Sequence, residues 1–150
     1  MVLPTVLFVC SGNACASPMA ETYLNTIAGG ALRAFSAGIE PARRVDGRTL
    51  RALAAAGLPA DGLAPKALEV FAMPQAPAPD VLVVLSAAIL GRTEPLWQRP
   101  PRRLSWFLPE PRADAGPGEF ARLLEAVIGR IDRALEDGTF GFARALRRAV

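Results

Sequence analysis

Two runs of apolar β-formers, Val6-Leu7-Phe8-Val9 and Val81-Leu82-Val83-Val84-Leu85, constrain this chain more than any other feature. Neither alternates with polar residues, so each must be buried on both sides. Strands of that kind belong to parallel sheets, whose crossovers are helices. A first helix is expected from Ser17, with Ser17 as N-cap, Pro18 at the first helical position and Glu21 in the first turn against the positive helix end. It runs through Ala20, Tyr23, Leu24 and Ile27 and stops at Gly29-Gly30. Residues 32–37 read as a weaker strand closing at Gly38. From Asp46 the spacing of Leu50, Leu53, Ala54 and Gly57 fits a second helix, ended near Pro59. Residues 74–79 read as a proline-rich surface loop and residues 103–108 as a fourth strand. Residues 117–137 form the best amphipathic helix, with Phe120, Leu123, Leu124, Val127, Ile131 and Leu135 on one side. Residues 140–150 read as a short terminal helix packing Phe142 and Leu146. The fold class is α/β, a parallel sheet covered on both faces, with right-handed crossovers.

The length of 150 residues suits one domain. With 51% hydrophobic and 21% charged residues the chain is not a disordered polymer. No run of about 18 apolar residues is present, which argues against a membrane span. Residues 2–10 are as apolar as a signal peptide but have no basic leader. There is no histidine, which removes the commonest general base and the commonest zinc ligand. Two cysteines build neither a disulfide framework nor a structural zinc site, so no metal is expected and the reducing cytoplasm is the expected compartment. The net charge of +3 resides in Arg144, Arg147 and Arg148. The first 140 residues are neutral, a poor basis for a nucleic-acid groove.

The stretch from Val6 to Pro18 carries the chemistry. A buried strand ends at Cys10, the loop Ser11-Gly12-Asn13-Ala14-Cys15-Ala16 contains two residues tolerant of positive φ, and a helix begins at Ser17-Pro18. Such a loop turns successive backbone N–H groups inward as a nest, backed by the helix dipole, and so suits an oxyanion. Cys10 at its base is favoured as thiolate, and the Ser17 hydroxyl can donate to the sulfur. Cys15 is either a packing residue or a redox partner that forms a disulfide with Cys10. Trp97 and Trp106 read as core or pocket-wall residues.

Residues 6–21, together with Ser36-Ala37-Gly38, Val45-Asp46 and Trp106-Phe107-Leu108-Pro109-Glu110-Pro111, resemble the low-molecular-weight protein tyrosine phosphatases and the thioredoxin-coupled arsenate reductases that share their fold. The likeness extends to about residue 137, and Pro95-Leu96-Trp97 looks closer to the arsenate reductase branch. It implies a single domain over residues 1–150, with residues 139–150 as an extra helix. The implied architecture is a three-layer sandwich on a central four-stranded parallel sheet. It also implies a nucleophile at Cys10, assistance from Ser17, a loop shaped by Asn13, and a general acid at Glu110, where the phosphatases have aspartate. Phosphate, arsenate or a phosphotyrosine-like group is the implied ligand, with no cofactor and, for reduction, a thiol reductant as partner.

Two departures stand out. The signature arginine is replaced by Ala16, which removes a bidentate clamp on the anion. Arg43, Arg44 and Arg92 are candidates for a replacement charge. The reductases relay oxidation to later cysteines, near where Ser86 stands here, and this chain has none beyond Cys15. A phosphate-binding pseudoenzyme and a Cys10–Cys15 redox sensor are the competing readings.

Overall fold

Val6, Leu7, Phe8 and Val9 have no exposed surface, as a strand covered on both faces requires. In the computed structural model, which describes residues 3–141, they lie in strand β1 (Thr5–Cys10). β2 (Arg33–Gly38), β3 (Val81–Val84) and β4 (Arg102–Ser105) complete a wholly parallel sheet of order β2-β1-β3-β4. Strand order therefore reverses between β1 and β3. In an open α/β sheet ligands bind in the crevice at the carboxyl ends of strands at such a point. Cys10 is the last residue of β1.

The sheet's two faces are covered differently. Val6, Phe8, Val81 and Val83 face α1 (Ala16–Ala28), α2 (Gly47–Ala55) and α3 (Pro117–Glu136), meeting Met19, Leu24, Leu53, Phe120 and Ile131. Leu7, Val9, Leu82 and Val84 face two 3-10 helices, Leu68–Ala72 and Ala87–Gly91, through Leu68, Phe71 and Ile89. The result is the expected three-layer arrangement, with one outer layer of α-helices and a thinner one of 3-10 turns. The 3-10 helices carry no hydrophobic period long enough to be read from sequence.

Several boundaries differ from expectation. α1 begins at Ala16 with Cys15 as N-cap, so Ser17 and Pro18 are its second and third residues. Pro18 still falls in the first turn, where a missing N–H costs nothing. Glu21 lies beyond that turn, and its carboxylate accepts from Ser36 Oγ at 2.7 Å. Asp46 does cap α2, accepting from Arg48 N at 2.9 Å. β4 ends at Ser105, short of the predicted residue 108, although Trp106 N still donates to Val84 O at 2.8 Å and Leu108 N to Leu85 O at 3.0 Å; Trp106 is buried beside Phe8 and Phe140. Residues 139–141 form no helix, and the rest of the expected terminal helix lies outside the described residues. Among the described residues, no helix is long and apolar enough to cross a membrane.

Candidate active site

The loop between β1 and α1 is held from outside by its carbonyls. Ile39 N donates to Cys10 O (3.2 Å), Glu40 N to Ser11 O (2.8 Å), Ala42 N to Gly12 O (2.8 Å) and Asp46 N to Ala14 O (3.1 Å). Thr49 Oγ1 adds a second bond to Ala14 O at 2.9 Å. Among the described residues, the amides of residues 11–15 donate to no protein acceptor. Engaged carbonyls with unengaged amides are what an anion nest requires.

Asn13 sets the loop's shape. Its φ of +53° makes it the one non-glycine residue in the left-handed region among the described residues. Gly12 shares the loop but not that conformation, so the tolerance expected at two positions is used at one. Asn13 is 1% exposed, and its side chain is fully committed. Nδ2 donates to Ser17 Oγ and to Ser36 Oγ, both at 2.9 Å, and Oδ1 accepts from Lys66 N at 2.9 Å.

These commitments orient Ser17. Its Oγ lies 2.9 Å from Cys10 Sγ while accepting from Asn13. The Ser17 hydroxyl thus bridges Asn13 and the sulfur, and either Oγ or Sγ can donate in the contact between them. Ser17 cannot cap α1 because its oxygen is used here. The chain of contacts Cys10–Ser17–Asn13–Ser36–Glu21 is continuous. Sequence reading did not place Ser36 and Glu21 in this network, since no local spacing reveals a bond between a strand and a helix. Gly38 is required by close approach: a Cβ there would stand 2.9 Å from Asn13 N and Gly12 C.

A cavity of about 220 Å³ opens above the sulfur. It is lined by the loop residues Cys10, Ser11, Gly12, Ala14, Cys15 and Ala16, its floor, and by Leu85 and Leu108-Pro109-Glu110-Pro111, its rim. The fold thus brings Glu110 over the loop, where its carboxylate accepts a short hydrogen bond from Ser11 Oγ. Among the described residues, no arginine or lysine lines the cavity. Arg92 is paired with Glu40 at the surface, and Arg43 and Arg44 are exposed. None of the three replaces the charge missing at Ala16. Neither Trp97 nor Trp106 lines the cavity; both are packed in the hydrophobic clusters.

Cys15 is half-buried and unbridged, like Cys10. Burial pushes its thiol up to about 11, although a hydrogen bond involving Thr49 pulls the other way. Nearby, Arg48 holds the Asp46 carboxyl below its ordinary range and reaches the carbonyls of Ala113 and Ala115, fastening α2 to the segment before α3. Among the described residues, no three potential ligands gather to hold a metal ion.

A family model described as low molecular weight phosphotyrosine protein phosphatase matches residues 5–137. An arsenate reductase of Brevibacillus brevis is 29% identical over 134 residues, covering 89% of this chain and 96% of that protein. An arsenate reductase of Archaeoglobus fulgidus superposes with a TM-score of 0.68 at 28% identity, over 85% of this chain and 96% of its own. A thioredoxin-dependent arsenate reductase of Corynebacterium glutamicum superposes with a TM-score of 0.72 at 24% identity, over 93% of this chain. This chain spans 64% of that protein's length.

Proposed function

Because the chain belongs to the low molecular weight phosphotyrosine protein phosphatase family, we propose that it binds a tetrahedral oxyanion on the residue 11–16 loop and acts on it through a Cys10 thiolate. The observation that carries this reading is the 2.9 Å contact between Ser17 Oγ and Cys10 Sγ, inside a network in which Asn13 Nδ2 donates to the same Oγ.

In the proposed reaction the sulfur attacks phosphorus or arsenic while the loop amides hold the remaining oxygens. With a phosphate ester, an S–P bond forms as the P–O bond to the leaving group breaks, and Glu110 in its protonated form gives its proton to that oxygen. Water then cleaves the S–P bond and restores the thiolate. With arsenate, an S–As bond forms and water leaves. A thiol reductant then attacks the Cys10 sulfur, giving a disulfide and releasing arsenite, so two electrons pass from sulfur to arsenic. Cys15 is a poor attacking thiolate near neutral pH with its thiol pushed up to about 11, which favours an external reductant. Two unbridged cysteines suit a reducing cytoplasm.

Ala16 leaves the equatorial oxygens without a guanidinium. Loss of one preorganised oxyanion donor costs about 10²–10³ in rate, so slow turnover is expected. Hydrolysis of an aryl phosphate, and reduction of arsenate with an added thiol reductant, should be measured for the native chain, Cys10→Ser and Ala16→Arg. Slow native turnover, none with Cys10→Ser and faster turnover with Ala16→Arg is the expected set. Activity that survives Cys10→Ser would sink the reading. The absence of a cation from the cavity lining favours one alternative, a lapsed catalyst that binds phosphate or a phosphorylated partner. That reading gains if the native chain binds phosphate and only Ala16→Arg turns over.

A further inference from the structure

Base and rim of the Cys10 cavity offer opposite hydrogen-bonding faces. At the base, the amides of residues 11–15 are donors, matched to bare anionic oxygens. At the rim, the Glu110 carboxylate is an acceptor, satisfied by the Ser11 hydroxyl. Among the described residues, no lysine or arginine in the lining offsets its charge. A bare oxyanion oxygen brought to that rim meets lone pairs with lone pairs. An oxygen that bears a proton can instead donate to Glu110 in place of Ser11, freeing the Ser11 hydroxyl to donate to a second oxygen of the same ligand.

Resting on the oxyanion site proposed above, we infer that Glu110 makes this site selective for oxyanions carrying a proton on oxygen. Hydrogen phosphate and hydrogen arsenate are accepted, whereas sulfate and the dianion of a phosphate monoester are refused. The preferred substrate class is then a free inorganic oxyanion rather than an ester. Ala16 is part of the reason, since a guanidinium there would counter the carboxylate and let a bare dianion pass.

Phosphate, arsenate, sulfate and phenyl phosphate are all predominantly dianions at about pH 8, where a phosphate monoester has lost its last proton. The first two keep a proton on oxygen and the last two do not, so affinities at that pH compare ligands of equal charge. Calorimetric titration of the native chain without reductant should find phosphate and arsenate bound about tenfold or more tighter than sulfate and phenyl phosphate, the size of a charge-assisted hydrogen bond at an open rim. In Glu110→Gln the amide can donate to a bare oxygen, and the four affinities should converge to within about threefold. Glu110→Ala removes the acceptor outright and should also erase the preference. Equal affinities in the native chain, or a preference that persists in both variants, overturns this inference and leaves the oxyanion site standing. Failure of all four anions to bind the native chain overturns the site and the inference together.

Discussion

At the floor of the Cys10 cavity Asn13 is 1% exposed and commits every polar atom of its side chain, whereas at the rim Glu110 is exposed and accepts one hydrogen bond, from Ser11. The floor is over-determined. Its amide orientation, its left-handed residue and its carbonyl partners all depend on one another, and a buried polar group left unpaired is costly. The rim is held lightly, by a loop carboxylate in contact with water. Floor geometry therefore fixes where the sulfur sits. In the proposed reading, rim chemistry decides which anion is accepted and how fast it reacts, and Ala16 leaves the loop without a guanidinium.

The comparison can be broken at its most sensitive point by restoring the charge. Ala16→Arg should raise turnover of an aryl phosphate by about 10²–10³, read as kcat/KM, with little change in unfolding free energy. Asn13→Ala attacks the floor instead. It strands the buried Ser17 and Ser36 hydroxyls and the half-buried Lys66 amide and leaves alanine in a left-handed conformation, so denaturant unfolding should show a loss of about 2–4 kcal/mol. Gly38→Ala forces a Cβ against loop backbone that cannot rotate away, and about 1–3 kcal/mol of destabilisation is expected from the same measurement. Gly12→Ala is its control. A Cβ there meets nothing nearer than 3.9 Å, so stability should stay within about 0.5 kcal/mol of native. A cost at Gly12 equal to that at Gly38 would contradict the assignment of strain to the floor.

The smallest effect concerns Cys15. Burial raises its thiol to about 11, so the protonated form dominates at every pH well below that value. Thiolate, not thiol, reacts with an alkylating agent, and a brief treatment at pH 7 should leave Cys15 unmodified by mass spectrometry. Its labelling should increase only as the pH approaches about 11. Rapid modification at neutral pH would show that the half-buried site does not suppress ionisation.

Much of this was legible along the chain. Val6–Val9 and Val81–Leu85 announced buried parallel strands, and Cys10, Asn13, Ser17 and Pro18 at close spacing announced a tight loop between strand and helix, because strand burial and tight loops are local properties. The two 3-10 helices were not legible, since a single turn has no period to detect. Ser17 was misread as a cap because the pattern Ser-Pro marks a helix start equally well when the serine has another partner. The roles of Ser36 and Glu21 depend on β2 packing beside α1, and no window of sequence contains that contact.

The order of residues alone therefore determined a parallel α/β sheet, a thiol at the end of its first strand, and the absence of a guanidinium from the following loop. Tertiary structure decided that no other arginine of the described residues lines the cavity, that Cys10 and Asn13 share the Ser17 hydroxyl, and that Glu110 meets Ser11 from 99 residues away. Hydrogen-bond periodicity and chain stiffness act over a few residues and leave their record in sequence. The partner of a buried polar atom is chosen by which strands and helices meet, and that is settled only when the whole chain packs.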